Sequence, residues 1–213
     1  MKLDRKKLLL YAVTDRRWEG KENLYEQLEN ALIGGVTCVQ LREKEMSEVE
    51  FLNEAEKIKI LCNNYNVPLF INDNVNVAMK VHADGIHVGQ DDMDVKKVRN
   101  IVGNSMYIGV SAHNIEEAIN AEIEGADYIG VGTIFSTSTK LDAEIVSIEM
   151  LSEICKSVKI PVVAIGGLNE NNILKLSKTG IDGVAIVSNI FSSDNIKEKC
   201  ERLCEIIKSI VRN

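Results

Sequence analysis

The feature that most constrains this chain is a recurrence of eight short apolar runs, evenly spread, with amphipathic stretches between them. The runs cover residues 8–13, 36–41, 68–71, 85–88, 106–110, 128–131, 161–165 and 183–187. They are rich in Val, Ile and Leu at successive positions, as strands covered on both faces must be. The stretches between them carry helix start and stop signals. Ser47 with Glu50 and Asn114 with Glu117 have capping-box spacing, and Asn169 is placed to cap a helix after the seventh run. Gly34-Gly35, Gly125 and Gly180 fall where a helix must end. Pro68 and Pro161 stand at strand starts, where a missing N–H does no harm. Eight strand–helix units without a linker predict a single-domain α/β chain, a closed (β/α)8 TIM barrel over residues 1–213. An open doubly wound sheet is the alternative, but eight similar units favour closure.

With 213 residues, 45% hydrophobic and 27% charged, the chain can fill such a core and coat it. A formal net charge of −7 disfavours a nucleic-acid partner. Five cysteines without a C-x-x-C pair suggest reduced thiols in a cytoplasmic protein. Cys200 and Cys204, one helical turn apart, read as helix packing because no His lies near them in sequence. The charged residues 1–7 and the brief apolar run after them suit neither a signal nor a membrane segment. Apolar helix faces leave room for a homo-oligomer.

In a barrel the loops after the strands share one face, and the polar oddities of this sequence gather there. After the second run, period two puts Cys38, Gln40, Arg42 and Lys44 on one side and Val39, Leu41 and Glu43 on the other. Gln40 and Arg42 are therefore expected in the mouth; the alternative is surface cations paired with Glu43 or Glu45. After the third and fourth runs come Asn72-Asp73 and Gln90-Asp91-Asp92. Neighbouring strand ends lie about 5 Å apart, so Asp73 and Asp92 suit a hard cation such as magnesium; helix N-capping is the competing explanation. Ser111 follows the fifth run and has two readings, a donor to phosphate or a helix cap. The loop after the sixth run carries Thr133, Ser136, Thr137, Ser138, Thr139 and Lys140, a set of donors that phosphate oxygens favour. Gly166-Gly167 and Val187-Ser188 follow the seventh and eighth runs, where barrels frequently hold a phosphate. His113 could serve as an acid or base, but the helix start at Asn114 explains a polar residue there; His82 and His87 have no evident partner, and all three are left out of the predicted site.

Six segments in this order resemble the thiamine-phosphate synthase family: Tyr11-Ala12-Val13-Thr14-Asp15, Gln40-Leu41-Arg42-Glu43-Lys44, Ile71-Asn72-Asp73, Gly85-Ile86-His87-Val88-Gly89-Gln90-Asp91-Asp92, the Thr-Ser-Thr-Lys loop and Ala164-Ile165-Gly166-Gly167. The resemblance implies joining of a hydroxymethylpyrimidine diphosphate to a thiazole phosphate, with release of pyrophosphate. It implies Gln40, Arg42, Lys44, Asn72 and Lys140 as contacts to the pyrimidine diphosphate, with Ser111 near the pyrophosphate. Arg42, Ser111 and Lys140 would then be the catalytic groups. It further implies Asp73 and Asp92 as ligands of Mg2+, and Thr137, Thr139, Gly167, Val187 and Ser188 as the thiazole phosphate pocket. One departure is that the family often has Pro where Thr133 and Ser136 stand. A related thiazole tautomerase would not need the diphosphate clamp, and a non-catalytic thiamine-phosphate binding module would not need the metal.

Overall fold

The computed structural model describes residues 2–18, 20, 22–137 and 144–212. Eight parallel strands close on themselves in chain order: β1 (Leu10–Val13), β2 (Cys38–Leu41), β3 (Leu69–Asn72), β4 (Gly85–Val88), β5 (Tyr107–Ala112), β6 (Tyr128–Val131), β7 (Val162–Ile165) and β8 (Gly183–Ile186). The β8 strand pairs back onto β1, so the barrel has no open edge. Around it run α1 (Leu24–Ile33), α2 (Glu48–Asn64), α3 (Val75–Lys80), α4 (Val95–Val102), α5 (Ile115–Glu124), α6 (Ile148–Ser157), the single turn α7 (Ser188–Phe191) and α8 (Ile196–Lys208).

The caps agree with the expected starts in two places and depart in one. Ser47 and Glu50 form a full capping box on α2. Asn114 caps α5, while the Glu117 carboxylate reaches one residue further back, to the His113 N–H. After β7 the structure holds only a 3-10 turn, Ile173–Leu176, preceded by Asn172 rather than capped by Asn169. The Asn169 side chain instead accepts from the Asn171 N–H, and Asn172 accepts from Asn169. Such local side-chain bonds compete with a helix, and an Asn-rich stretch supplies several at once. The terminal cysteines are packing groups as expected: Cys200 and Cys204 lie against the Gly34–Gly35 turn, buried and free.

Alternation along each strand sorts the core into two layers. Val39, Leu41, Ile71, Ile86, Ile108 and Ile129 face the helices. Tyr11, Cys38, Phe70, Tyr128 and Val163 fill the interior. Three rings dominate that interior, and two of them lean over glycines on a neighbouring strand. A Cβ on Gly85 would stand 2.1 Å from Phe70, and one on Gly109 would stand 2.2 Å from Tyr128. Phe70 pairs in register with Gly85, and Tyr128 with Gly109. Large and small side chains are thus matched across the strand pairs, the condition for close packing in a narrow barrel.

The opposite end of the barrel carries a fourfold device. Thr37, Asp84, Asp127 and Asp182 stand just before the even-numbered strands. Each donates its backbone N–H to a carbonyl at the start of the preceding strand: Leu10, Leu69, Ile108 (the second residue of β5) and Val162 respectively. Each then accepts that same residue's N–H with its side-chain oxygen, at 3.0, 2.8, 2.8 and 2.8 Å. The three aspartates are also ion-paired, with Lys59, Arg99 and Arg5 in turn. The pairing ties β1 to β2, β3 to β4, β5 to β6 and β7 to β8.

Candidate active site

The C-terminal strand ends surround a cavity of about 260 Å³. Its walls bring together Gln40, Arg42, Lys44, Asn72, Asp73, Asp92, Ser111, Thr137, Gly167, Val187 and Ser188. Thr139 and Lys140 lie outside the described residues.

On the β2 side, Gln40 is 5% exposed at the end of an otherwise apolar strand. Its Nε2 donates to the Tyr11 hydroxyl at 3.1 Å. The Arg42 N–H donates to the buried Thr14 hydroxyl, which fixes the backbone where the strand leaves the barrel. Glu43, one of the two acids that could pair with these cations at the surface, is held by a different cation. That carboxylate accepts from Arg16 at 2.9 and 3.0 Å, on the outer side of the strand. Arg42 and Lys44 line the cavity instead.

On the β3–β4 side, neither Asp73 nor Asp92 caps a helix. Asn74 caps α3 and Asp94 caps α4, so the competing explanation for these carboxylates fails. Asp92 accepts from the Gly89 N–H at 2.7 Å and lies within hydrogen-bonding reach of Asp73. Burial, then the neighbouring Asp92, raises the Asp73 pKa from 3.8 to about 6; Lys44 opposes the shift. Two oxygen donors that repel one another in a half-buried site have the chemistry a small dication relieves. Among the described residues no third His, Cys, Asp or Glu completes a cluster. A cation here would therefore keep positions for water and for a ligand's phosphate oxygens, as magnesium does.

Ser111 does not cap α5, because Asn114 does. Its hydroxyl sits 3.0 Å from His87 Nε2, and its carbonyl accepts from Gln90 at 2.6 Å. His87 is the residue the sequence reading passed over. It points into the barrel with Nδ1 2.8 Å from the Tyr128 hydroxyl. Burial lowers its pKa from 6.5 to about 4, against the pull of Asp92, so the ring is neutral at pH 7. Tyr11, Tyr128 and His113 also line the cavity and were not among the predicted site residues. Period two carried the signal for His87, since Ile86 and Val88 face outward.

The far wall is made by the loops after β6, β7 and β8. Phe135 donates its N–H to Gly166, and Ile134 donates to Ile165, stitching the β6 loop to the β7 tail. Gly167 has φ +63°, and a Cβ there would meet the Phe135 carbonyl at 2.5 Å. Only glycine fits that approach. Val187 and Ser188 open α7, whose first amides have no partner within the helix.

A closed eight-stranded barrel with cations, paired carboxylates and glycine-lined backbone around one mouth defines a (β/α)8 enzyme with its site at the C-terminal strand ends. Comparison with known proteins makes the class specific. The profile described as thiamine monophosphate synthase matches residues 10–190. The chain is 51% identical over 199 residues to a thiamine-phosphate synthase of Clostridium acetobutylicum, covering 93% of this chain and 94% of that protein. It is 44% identical over 207 residues to one of Persephonella marina, covering 97% and 99%. A solved thiamine phosphate pyrophosphorylase from Pyrococcus furiosus superposes with a TM-score of 0.90 at 38% identity, covering 98% and 99%. The chain belongs to the thiamine monophosphate synthase family, whose members are transferases of thiamine biosynthesis. No described helix is long and apolar enough to cross a membrane.

Proposed function

We propose that the chain condenses 4-amino-2-methyl-5-hydroxymethylpyrimidine diphosphate with 4-methyl-5-(2-phosphoethyl)thiazole, releasing pyrophosphate and forming thiamine monophosphate in the cytoplasm. The observation that carries this reading is the convergence of Asp73 and Asp92 beside Arg42 and Lys44 on one side of a cavity. The opposite side presents Gly167 and Ser188. One wall suits a metal-bridged diphosphate, the other a monophosphate. Asp73 and Asp92 would hold Mg2+, which supplies neutralising charge to the diphosphate when bound.

The protein's own groups account for the rest. Arg42 and Lys44 stabilise the charge that builds on the leaving diphosphate as its carbon–oxygen bond breaks. The Ser111 hydroxyl donates to the same group, and Asn72 stands beside it. Gln40 orients the pyrimidine, whose amine shares the positive charge left on the exocyclic carbon, so the dissociative path needs no enzyme nucleophile. The apolar lining residues Val13, Val163, Ile165 and Ala185 keep water from that carbon until the thiazole nitrogen attacks. Thr137, Gly167, Val187 and Ser188 seat the thiazole phosphate, and the proposal extends that pocket to Thr139 and the diphosphate contacts to Lys140. The test is to mix purified protein with both substrates, with and without magnesium, and to measure pyrophosphate and thiamine monophosphate. Magnesium-dependent formation of both is expected; neither product under saturating conditions would overturn the reading.

A further inference from the structure

Beneath the cavity, five side chains from five different strands join into one hydrogen-bonded chain. Gln40 donates to Tyr11 at 3.1 Å, and the Tyr11 and Tyr128 hydroxyls are 2.9 Å apart. The Tyr128 hydroxyl is 2.8 Å from His87 Nδ1, and His87 Nε2 is 3.0 Å from Ser111 Oγ. Packing alone does not require this. Phe70 fills the same layer with no polar atom, and a buried hydroxyl is unfavourable unless it is satisfied.

Counting donors fixes the direction. A neutral imidazole has one donor nitrogen and one acceptor nitrogen. If Tyr128 donates to Nδ1, then Nε2 carries the hydrogen and donates to Ser111 Oγ. Tyr128 in turn accepts from Tyr11, and Tyr11 accepts from Gln40. Every hydrogen then meets an oxygen or nitrogen lone pair, and the Ser111 proton is left over, facing the cavity. In the reverse direction Ser111 donates to Nε2 and Tyr128 donates to Tyr11. The Tyr11 hydrogen is then left with the Cys38 thiol that lies against it, a weak acceptor.

We infer that the chain is polarised from Gln40 to Ser111, with His87 as a positioning residue that holds the Ser111 hydroxyl as a donor to the ligand's phosphate group. This rests on the reading that Ser111 meets the diphosphate. The two ends are coupled, because turning the Gln40 amide over would reverse every bond between them. With Nε2 committed to Tyr11, Gln40 leaves Oε1 for a ligand N–H. The floor therefore favours a molecule with an amine at one end and a phosphate at the other, and either contact reinforces the other.

The direct test is nitrogen NMR on the whole protein labelled with 15N-imidazole histidine. Only three histidines contribute, and H87Q assigns the His87 signals. The expected result at pH 7 is a neutral ring protonated on Nε2, and a downfield shift of the unprotonated Nδ1 signal in Y128F as the hydrogen bond it accepts is lost. An Nδ1–H ring in the unaltered protein, or no change in Y128F, would overturn the inference. A kinetic cycle supplies the second arm. S111A and Y128F should each lower kcat about tenfold, and the double variant should be no slower than S111A alone. Multiplying effects would refute action through Ser111. If S111A alone left kcat unchanged, the assigned role of Ser111 would fail instead, while the NMR result would still decide the polarity of the chain.

Discussion

Asp73→Asn should stabilise the metal-free protein while abolishing its turnover. The Asp73 carboxyl is half-buried against Asp92, and its pKa rises from 3.8 to about 6. A shift of about two units corresponds to roughly 3 kcal/mol of differential stabilisation. Solvent screening of a half-buried group reduces this to about 1 kcal/mol. The sign follows from linkage. The folded pKa lies above the unfolded one, so the folded state binds more protons between about pH 4 and pH 6 and loses stability as pH rises through that window. Asparagine carries no charge to repel Asp92, and it tolerates the left-handed backbone at this position, φ 61°. At pH 7 with chelator, the variant should melt about 2–4 °C above the natural protein. At pH 4, where the folded-state carboxyl is protonated and the unfolded-state one about half so, most of the gap should close. Saturating magnesium should raise the melting temperature of the natural protein and not that of the variant. A variant that melts lower at pH 7, or whose gain is the same at both pH values, would refute the electrostatic argument.

Three further outcomes are expected. Asp92→Ala should cut magnesium-dependent turnover at least a hundredfold while leaving far-ultraviolet circular dichroism unchanged; full turnover at saturating substrate would remove the residue from the proposed metal site. Gly85→Ala should destabilise the fold by about 1–3 kcal/mol in urea titration, because its Cβ would fall 2.1 Å from Phe70. Phe70→Leu should restore part of that loss. Asp127→Ala leaves the Ile108 N–H without its side-chain acceptor and removes the ion-pair partner of Arg99, which keeps only its backbone carbonyl acceptors. It should lower stability by about 2–3 kcal/mol in the same titration with kcat unaltered.

The barrel was legible because its strands are apolar on both faces and separated by capped, amphipathic stretches. Alternation alone placed Gln40 and Arg42 on the inner side of β2, with Glu43 outside, where Arg16 holds it. What the sequence hid was contact across the barrel. The partners of His87 lie 24 and 41 positions away, and no local pattern announces them. The helix expected after β7 was lost to a competition between Asn169 side-chain bonds and helix nucleation, which spacing does not arbitrate. The base aspartates Asp84, Asp127 and Asp182 stand in the sequence as isolated acids, each one residue before a strand. Their meaning emerges only when each is seen bonding both ways to one residue.

That base device divides the molecule into four quarters, each a strand pair fastened to itself at the pole remote from substrate. A circularly permuted chain opened between quarters, in the β2–β3 or β4–β5 connection, keeps every fastened pair contiguous. One opened within a quarter makes a fastening depend on segments from the two new ends. Tolerance to rearrangement should therefore alternate around the ring with a period of two strands, while the reactive pole stays indifferent to where the chain begins.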